Sequence, residues 1–109
     1  MKIGQVAAES GVSIDTIRFY ERRGVLPAPS RTPAGYRLYG DTTVQRIKLA
    51  RRLQSLGLTL DEISSALHER DEGHASCENQ RWRLENALER IETKITELAR
   101  LGNDVRSAL

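Results

Sequence analysis

Residues 11–24 read Gly11-Val12-Ser13-Ile14-Asp15-Thr16-Ile17-Arg18-Phe19-Tyr20-Glu21-Arg22-Arg23-Gly24. Ser13 is a natural N-cap, and Val12 before it with Ile17 four positions after it form a hydrophobic staple. A helix is therefore predicted from Ser13 to about Arg23. Gly24 ends it, and Pro27 and Pro29 prevent its immediate resumption. Upstream, Ile3, Val6 and Ala7 share one side of a shorter predicted helix around Gly4 to Ser10. Gly11 supplies the residue that can take positive φ at its end. Helix, tight turn and second short helix are the elements of a helix-turn-helix. On the second helix Ile14, Ile17 and Tyr20 are expected to turn inward.

Working outward, Arg31-Thr32-Pro33-Ala34-Gly35-Tyr36-Arg37-Leu38-Tyr39 combines turn residues with a short alternating strand. A two-stranded ribbon of that size has to lean on the helices, as a wing beside the helix-turn-helix does. A third helix is predicted from an Asp41 cap to about Leu56, closed by Gly57. Val44, Ile47, Leu49, Leu53 and Leu56 supply its apolar positions and Arg46, Lys48, Arg51 and Arg52 its charged side. Gly57-Leu58-Thr59-Leu60-Asp61-Glu62-Ile63 then repeats the grammar of residues 11–17 and adds Glu62 three residues after Thr59, completing a capping box. A fourth helix follows to about Glu69, and residues 70–76 read as a linker loop.

From Cys77 to Leu109 there is no proline, and Leu84, Leu88, Ile91, Ile95, Leu98, Val105 and Leu109 fall at alternating steps of three and four, with Gly102 where one seam residue is due. That is a heptad seam. A helix over residues 77–109 would run roughly 50 Å, too long to pack wholly on a small domain. Its partner is most simply a second copy of the chain; the alternative is a helix folded back on its own domain.

Composition narrows the function class. The 109 residues allow one small domain with an appendage. Residues 1–58 carry ten Lys/Arg against four Asp/Glu, and residues 59–109 seven against eleven. A basic front half joined to an acidic back half suggests a polyanion-binding module attached to something else, though a merely solvated basic surface is the alternative. No run suits a membrane span or a signal peptide, and one cysteine makes no internal disulfide, so a cytoplasmic location is expected. No paired carboxylates, nucleophile–base set or phosphate loop stand out, so an enzyme is not expected.

Several linked motifs now resemble the MerR family of bacterial transcriptional regulators, over essentially the whole chain. They are Ile3-Gly4-Gln5-Val6-Ala7, Gly11-Val12-Ser13, Thr16-Ile17-Arg18-Phe19-Tyr20-Glu21, Gly24-Val25-Leu26-Pro27, Gly35-Tyr36-Arg37-Leu38-Tyr39, Arg46-Ile47 and Leu56-Gly57-Leu58-Thr59-Leu60-Asp61-Glu62-Ile63. The fold then expected is all-α with a small β wing. A winged helix-turn-helix over residues 1–69 (helix-turn-helix 3–23, wing 30–39, second helix pair 41–69) precedes a linker at 70–76. A long antiparallel coiled-coil dimerisation helix follows at 77–109.

The resemblance implies a homodimer whose two recognition helices address a pseudo-palindromic operator. It also implies distortion of promoter DNA between the recognition elements of RNA polymerase, a form of indirect readout. The candidate DNA contacts are Asp15, Thr16, Arg18, Phe19, Arg22, Arg31, Tyr36 and Arg37. Thr16 can meet a base edge or a thymine methyl, and Arg18 suits a phosphate. Asp15 either accepts from a cytosine amine or complements the helix dipole, and Phe19 either packs on the DNA backbone or fills the core. Tyr36 and Arg37 match wing residues that touch phosphate in the family, Arg31 is a third candidate, and Tyr39 is expected to anchor the wing.

The likeness is nearest to the metal-sensing, mercury-type branch, whose members carry a cysteine at the position of Cys77. Ser76 is a plausible N-cap, placing Cys77 in a first helical turn, where the dipole favours the thiolate that binds soft ions. Hg(II), Zn(II) or Cu(I) is then the candidate effector at Cys77, with His74 as a helper. In such relatives further cysteines follow the dimer helix, and residues 1–109 stop short of that segment. One thiol does not build a thiolate-rich site, so an inert Cys77 and a solvated His74 stay open, as do a thiol-based stress regulator and an effector-independent DNA-bending repressor or excisionase-like accessory protein. Trp82 is expected to pack under the third and fourth helices rather than line an effector pocket.

Overall fold

A computed structural model describes residues 1–73 and 77–109, the side chains of residues 77–79 excepted. Five helices and one two-stranded ribbon follow in order: α1 (Ile3–Ser10), α2 (Ile14–Arg22), β1 (Ser30–Arg31), β2 (Arg37–Leu38), α3 (Asp41–Ser55), α4 (Leu60–Asp71) and α5 (Cys77–Ala108). Helices α1 to α4 and the ribbon surround one core of Val6, Ile17, Tyr20, Val25, Leu26, Tyr39, Val44, Ile47, Ala50, Leu58, Ile63 and Leu67. Ala87 joins it from α5. The first part of α5, as far as Ile91, lies against this body, the remainder leaves it as a rod, and the longest dimension of the chain is 66 Å.

Capping sets the helix starts. Ser13 Oγ accepts from the Thr16 amide at 3.1 Å, and Gly11 ends α1 at φ 73° with its amide on Ala7 O. The Thr59 capping box is complete: Thr59 Oγ1 accepts from the Glu62 amide at 3.2 Å, and Glu62 Oε1 accepts from the Thr59 amide at 2.9 Å. Helix α3 starts differently from expectation. Gly40 is its N-cap, without a side-chain bond, and Asp41 is instead its first helical residue, where a carboxylate still complements the dipole. Helix α4 runs two residues beyond Glu69, because Asp71 is held by Arg46 at 2.7 Å. Residues 70 and 71 are therefore helix rather than linker.

Polar ties lock the elements together. Tyr20 Oη donates to Gln54 Oε1 at 2.8 Å, docking α2 on α3. Arg46, one of the residues on the charged side of α3, donates from Nε to Val25 O and from Nη1 to Asp71 Oδ1, both at 2.7 Å. That pairing holds the Asp71 carboxyl below its ordinary range. At the root of the rod Arg83, 4% exposed, reaches Glu69 Oε1 at 2.6 Å, and Gln80 Nε2 donates to Glu69 Oε2 at 2.7 Å. Trp82 is 48% exposed rather than packed under α3 and α4. Its ring lies 4.3 Å from the Arg83 guanidinium, a cation–π contact that needs no burial of the indole.

The capping box makes an acid-stability prediction. Glu62 lies below the usual carboxylate range, first because it accepts the Thr59 amide and then because Arg90 Nη2 pairs with it at 2.9 Å. A carboxylate with a depressed folded pKa contributes stability that is present above its unfolded pKa and lost as pH falls through the folded value. Glu62→Gln is therefore expected to lower the melting temperature near neutrality and to narrow the gap from wild type in acid. Melting curves followed by circular dichroism from neutral pH into the acid range check this; a gap independent of pH would contradict it.

Candidate nucleic-acid interface

Helix α2 buries Ile17 and Tyr20, and about 100° per residue then turns Asp15, Arg18, Phe19 and Arg22 to the opposite side. All four are exposed. Ile14 lies about a quarter turn from the buried centre and is 37% exposed, so its expected inward orientation is corrected. Thr16 sits at the other edge, half-buried, with Oγ1 2.9 Å from Ser13 Oγ. Its hydroxyl is thus engaged in the cap, leaving its methyl as the group free for a base. Phe19 is at the surface rather than in the core, with the guanidinium groups of Arg22 and Arg23 each 5.8 Å from its ring centre. Arg23 is held by Asp61 at 2.8 Å, whereas Arg18 makes no ion pair among the described residues.

The ribbon stands beside this face. Arg31 pairs with Arg37 and Ser30 with Leu38 in antiparallel register. The turn between them closes through Gly35 N on Thr32 O at 2.8 Å, with Gly35 at φ 88°. Arg31 Nη1 donates to Gly35 O at 3.0 Å, bracing the tip. Tyr36 is 66% exposed at that tip, with Lys2 Nζ 5.8 Å from its ring centre. Tyr39 is buried, as expected of an anchor: Oη donates to Glu21 Oε1 at 2.5 Å, and its backbone exchanges bonds with Met1. Burial first, and then the Glu21 contact, push the Tyr39 phenol above its ordinary value. Arg37 Nη1 lies 3.5 Å from Glu21 Oε2. A short helix and a braced ribbon tied to it through Glu21 thus each expose arginines and an aromatic ring, chemistry suited to a polyanionic duplex.

The family model described as "MerR HTH family regulatory protein" matches residues 1–70, and the one described as "MerR, DNA binding" matches residues 44–108. The chain belongs to the MerR family. A mercuric resistance operon regulatory protein of Bacillus cereus is 41% identical over 100 residues, covering 92% of this chain and 76% of that protein. Among solved structures, a transcription regulator from Ralstonia metallidurans in complex with lead(II) superposes with a TM-score of 0.90 at 32% identity. That match covers 98% of this chain and 84% of the other. A MerR family regulator lacking the sensor domain and bound to promoter DNA superposes at 0.68 with 27% identity, covering 94% of this chain and 78% of its own. The protein is accordingly a transcriptional regulator with a MerR-type helix-turn-helix, and its relatives are regulators rather than enzymes. Among the described residues no helix is long and apolar enough to cross a membrane.

The MerR-type rod carries the seam in the open. Leu84, Leu88, Ile91, Ile95, Leu98 and Val105 are all exposed in the single chain. Leu101, also exposed, carries the seam past Gly102; strict heptad counting missed it because the step from Leu98 is three where four is due. An apolar groove of about 190 Å³, lined by Leu49, Leu53, Leu58, Leu67 and Leu84 among others, opens at the rod's root beside the start of this seam. Cys77 is the first residue of α5. His74 and Ser76 lie outside the described residues. Among the described residues no three His, Cys, Asp or Glu converge as a metal site.

Proposed function

We propose that two copies of the chain pair through antiparallel α5 rods and bind an inverted-repeat operator. They distort the promoter between the recognition elements of RNA polymerase and respond to a soft metal ion. The observation that carries the DNA reading is the common outward face of Asp15, Arg18, Phe19 and Arg22 beside a wing tipped by Tyr36. The exposed seam from Leu84 to Val105 supports the pairing, because solvent-facing apolar rows of this length mark partner surfaces. In each half-site Arg18, Arg22, Arg31, Tyr36 and Arg37 contact the backbone, while Asp15 and the Thr16 methyl face base edges and Phe19 packs on sugar–phosphate. Residues 1–69 act as the DNA-binding unit and residues 77–109 as the dimerisation helix.

The metal reading rests on Cys77 and on the relatives named for mercuric resistance and for a lead(II) complex. One chain's donors do not fit a soft ion by themselves, since the sequence holds one cysteine. A thiolate set therefore needs thiols beyond those of a single copy of residues 1–109, with Hg(II), Zn(II) or Cu(I) as candidates and His74 as a secondary donor. That shortage favours a second reading, an effector-independent DNA-bending repressor or accessory protein.

Transcription in vitro from an operator-bearing promoter with purified polymerase separates the two. A change in transcript level on adding Hg(II), Zn(II) or Cu(I), abolished by Cys77→Ser, is expected for a metal sensor. Unchanged transcript with all three ions, while operator binding persists, would leave the effector-independent reading.

A further inference from the structure

We propose that Glu21 is a positioning residue for DNA binding, holding the wing's Arg37 in the orientation that meets a phosphate. The inference rests on the reading of Arg37 as a DNA contact. Glu21 stands in the last turn of α2, the helix that carries the outward arginines, yet its own side chain is only 11% exposed. Its two carboxylate oxygens divide between two wing residues. Oε1 accepts the Tyr39 hydroxyl at 2.5 Å, and Oε2 faces Arg37 Nη1 at 3.5 Å. One carboxylate of α2 therefore ties the helix to the wing at two points.

The charge arithmetic within the wing explains why Arg37 needs such a partner. Arg31 and Arg37 are direct cross-strand partners in a ladder of two residue pairs. Like charges placed opposite one another are destabilising, and so short a ribbon has little else to hold it. Arg31 is turned to the tip by Gly35 O, and Arg37 is turned the other way by Glu21. At 3.5 Å the Arg37–Glu21 contact is an ion pair and not a tight hydrogen bond. It engages one nitrogen of a guanidinium with five N–H donors, and the side chain keeps 34% exposure. Donors beyond those turned to Glu21 and the Tyr39 hydroxyl remain for a phosphate oxygen. Glu21 thus restricts where Arg37 points without using up what Arg37 offers.

The test is operator affinity by fluorescence anisotropy with the full chain, comparing wild type, Glu21→Gln, Arg37→Ala and the double variant. Glutamine retains an acceptor for Tyr39 and removes the charge. Glu21→Gln alone is expected to weaken binding by up to about fivefold, the range of partly exposed ion pairs. In the Arg37→Ala background the same substitution is expected to change nothing. Glu21→Asp, which keeps the charge but shortens its reach to Arg37, serves if Glu21→Gln does not fold and is expected to weaken binding only where Arg37 is present. An equal loss from Glu21→Gln in both backgrounds would overturn the proposal, since Glu21 would then act independently of Arg37. So would unchanged or tighter binding by Glu21→Gln. If Arg37→Ala by itself leaves affinity unchanged, the reading of Arg37 as a DNA contact fails first and the positioning role falls with it.

Discussion

Glutamate at both Ile95 and Leu98 is expected to leave a folded chain that sediments as a single subunit and no longer prefers an inverted repeat to scrambled DNA. Both side chains are exposed, and neither belongs to the core that α1 to α4 build, so the substitutions remove nothing the isolated subunit needs. In a paired rod each would be buried, and burying one such side chain contributes about 1.5–3 kcal/mol. Two positions in two subunits sum to about 6–12 kcal/mol, before the added cost of bringing four carboxylates together. A micromolar dimer is held by only about 8 kcal/mol. Loss of pairing is therefore the expected outcome at any ordinary protein concentration. Sedimentation velocity with matched gel shifts on intact and scrambled operators decides it; a variant that still sediments as a pair would remove α5 from the interface.

The second large effect is ionic. With Arg18, Arg22, Arg31 and Arg37 each neutralising a phosphate, a dimer releases about eight counterions, and log affinity falls against log salt with a slope of about −7. Raising salt from about 50 to 200 mM should then weaken operator binding by about 10³–10⁵-fold. The four cations are not equivalent. Arg18 has no ion pair among the described residues, so its whole charge is available to the duplex. Arg37 already shares Glu21, and its replacement also unpairs a mostly buried carboxylate. Arg18→Ala is expected to flatten the slope by about 2 per dimer; Arg37→Ala should weaken binding and flatten the slope less. Titrations at four or more salt concentrations measure both slopes, and an unchanged slope for Arg18→Ala would withdraw it from the backbone.

Much of this was legible along the chain because it is written in neighbouring residues. Ser13 and the Thr59–Glu62 box mark helix starts with side chains three positions apart, and Leu84 to Leu98 repeat on one face of a rod that needs no tertiary help. Helical geometry with Ile17 and Tyr20 inward is enough to face Asp15, Arg18 and Arg22 outward, whereas Phe19 stays open between surface and core until its exposure is seen, and Thr16 proves half-buried. The same geometry placed Ile14 wrongly, because on a nine-residue helix the border of the buried side is decided by what packs there. Periodicity puts Arg46 on one charged side with Lys48, Arg51 and Arg52 and says nothing of its partners. Its partners, Val25 O and Asp71, lie 21 and 25 positions away, and no local pattern announces them. Glu21 was hidden for the same reason, its contacts being made with a ribbon 16 to 18 residues downstream. Trp82, expected under α3 and α4, is instead half exposed with the Arg83 guanidinium over its ring, a pairing that periodicity does not reveal.

Gly57 joins two of these levels. It turns the corner between α3 and α4 at φ 93°, and a Cβ there would stand 3.3 Å from Ile91 Cδ1 on the rod. Arg90 Nη2 grips the same corner, donating to Gly57 O at 2.7 Å. Ile91 and Arg90 thus seat the rod against bare backbone at the elbow, and a side chain at residue 57 would have to push Ile91 back while straining a left-handed backbone. Glycine at this elbow is therefore what lets α5 lie as near the corner as it does.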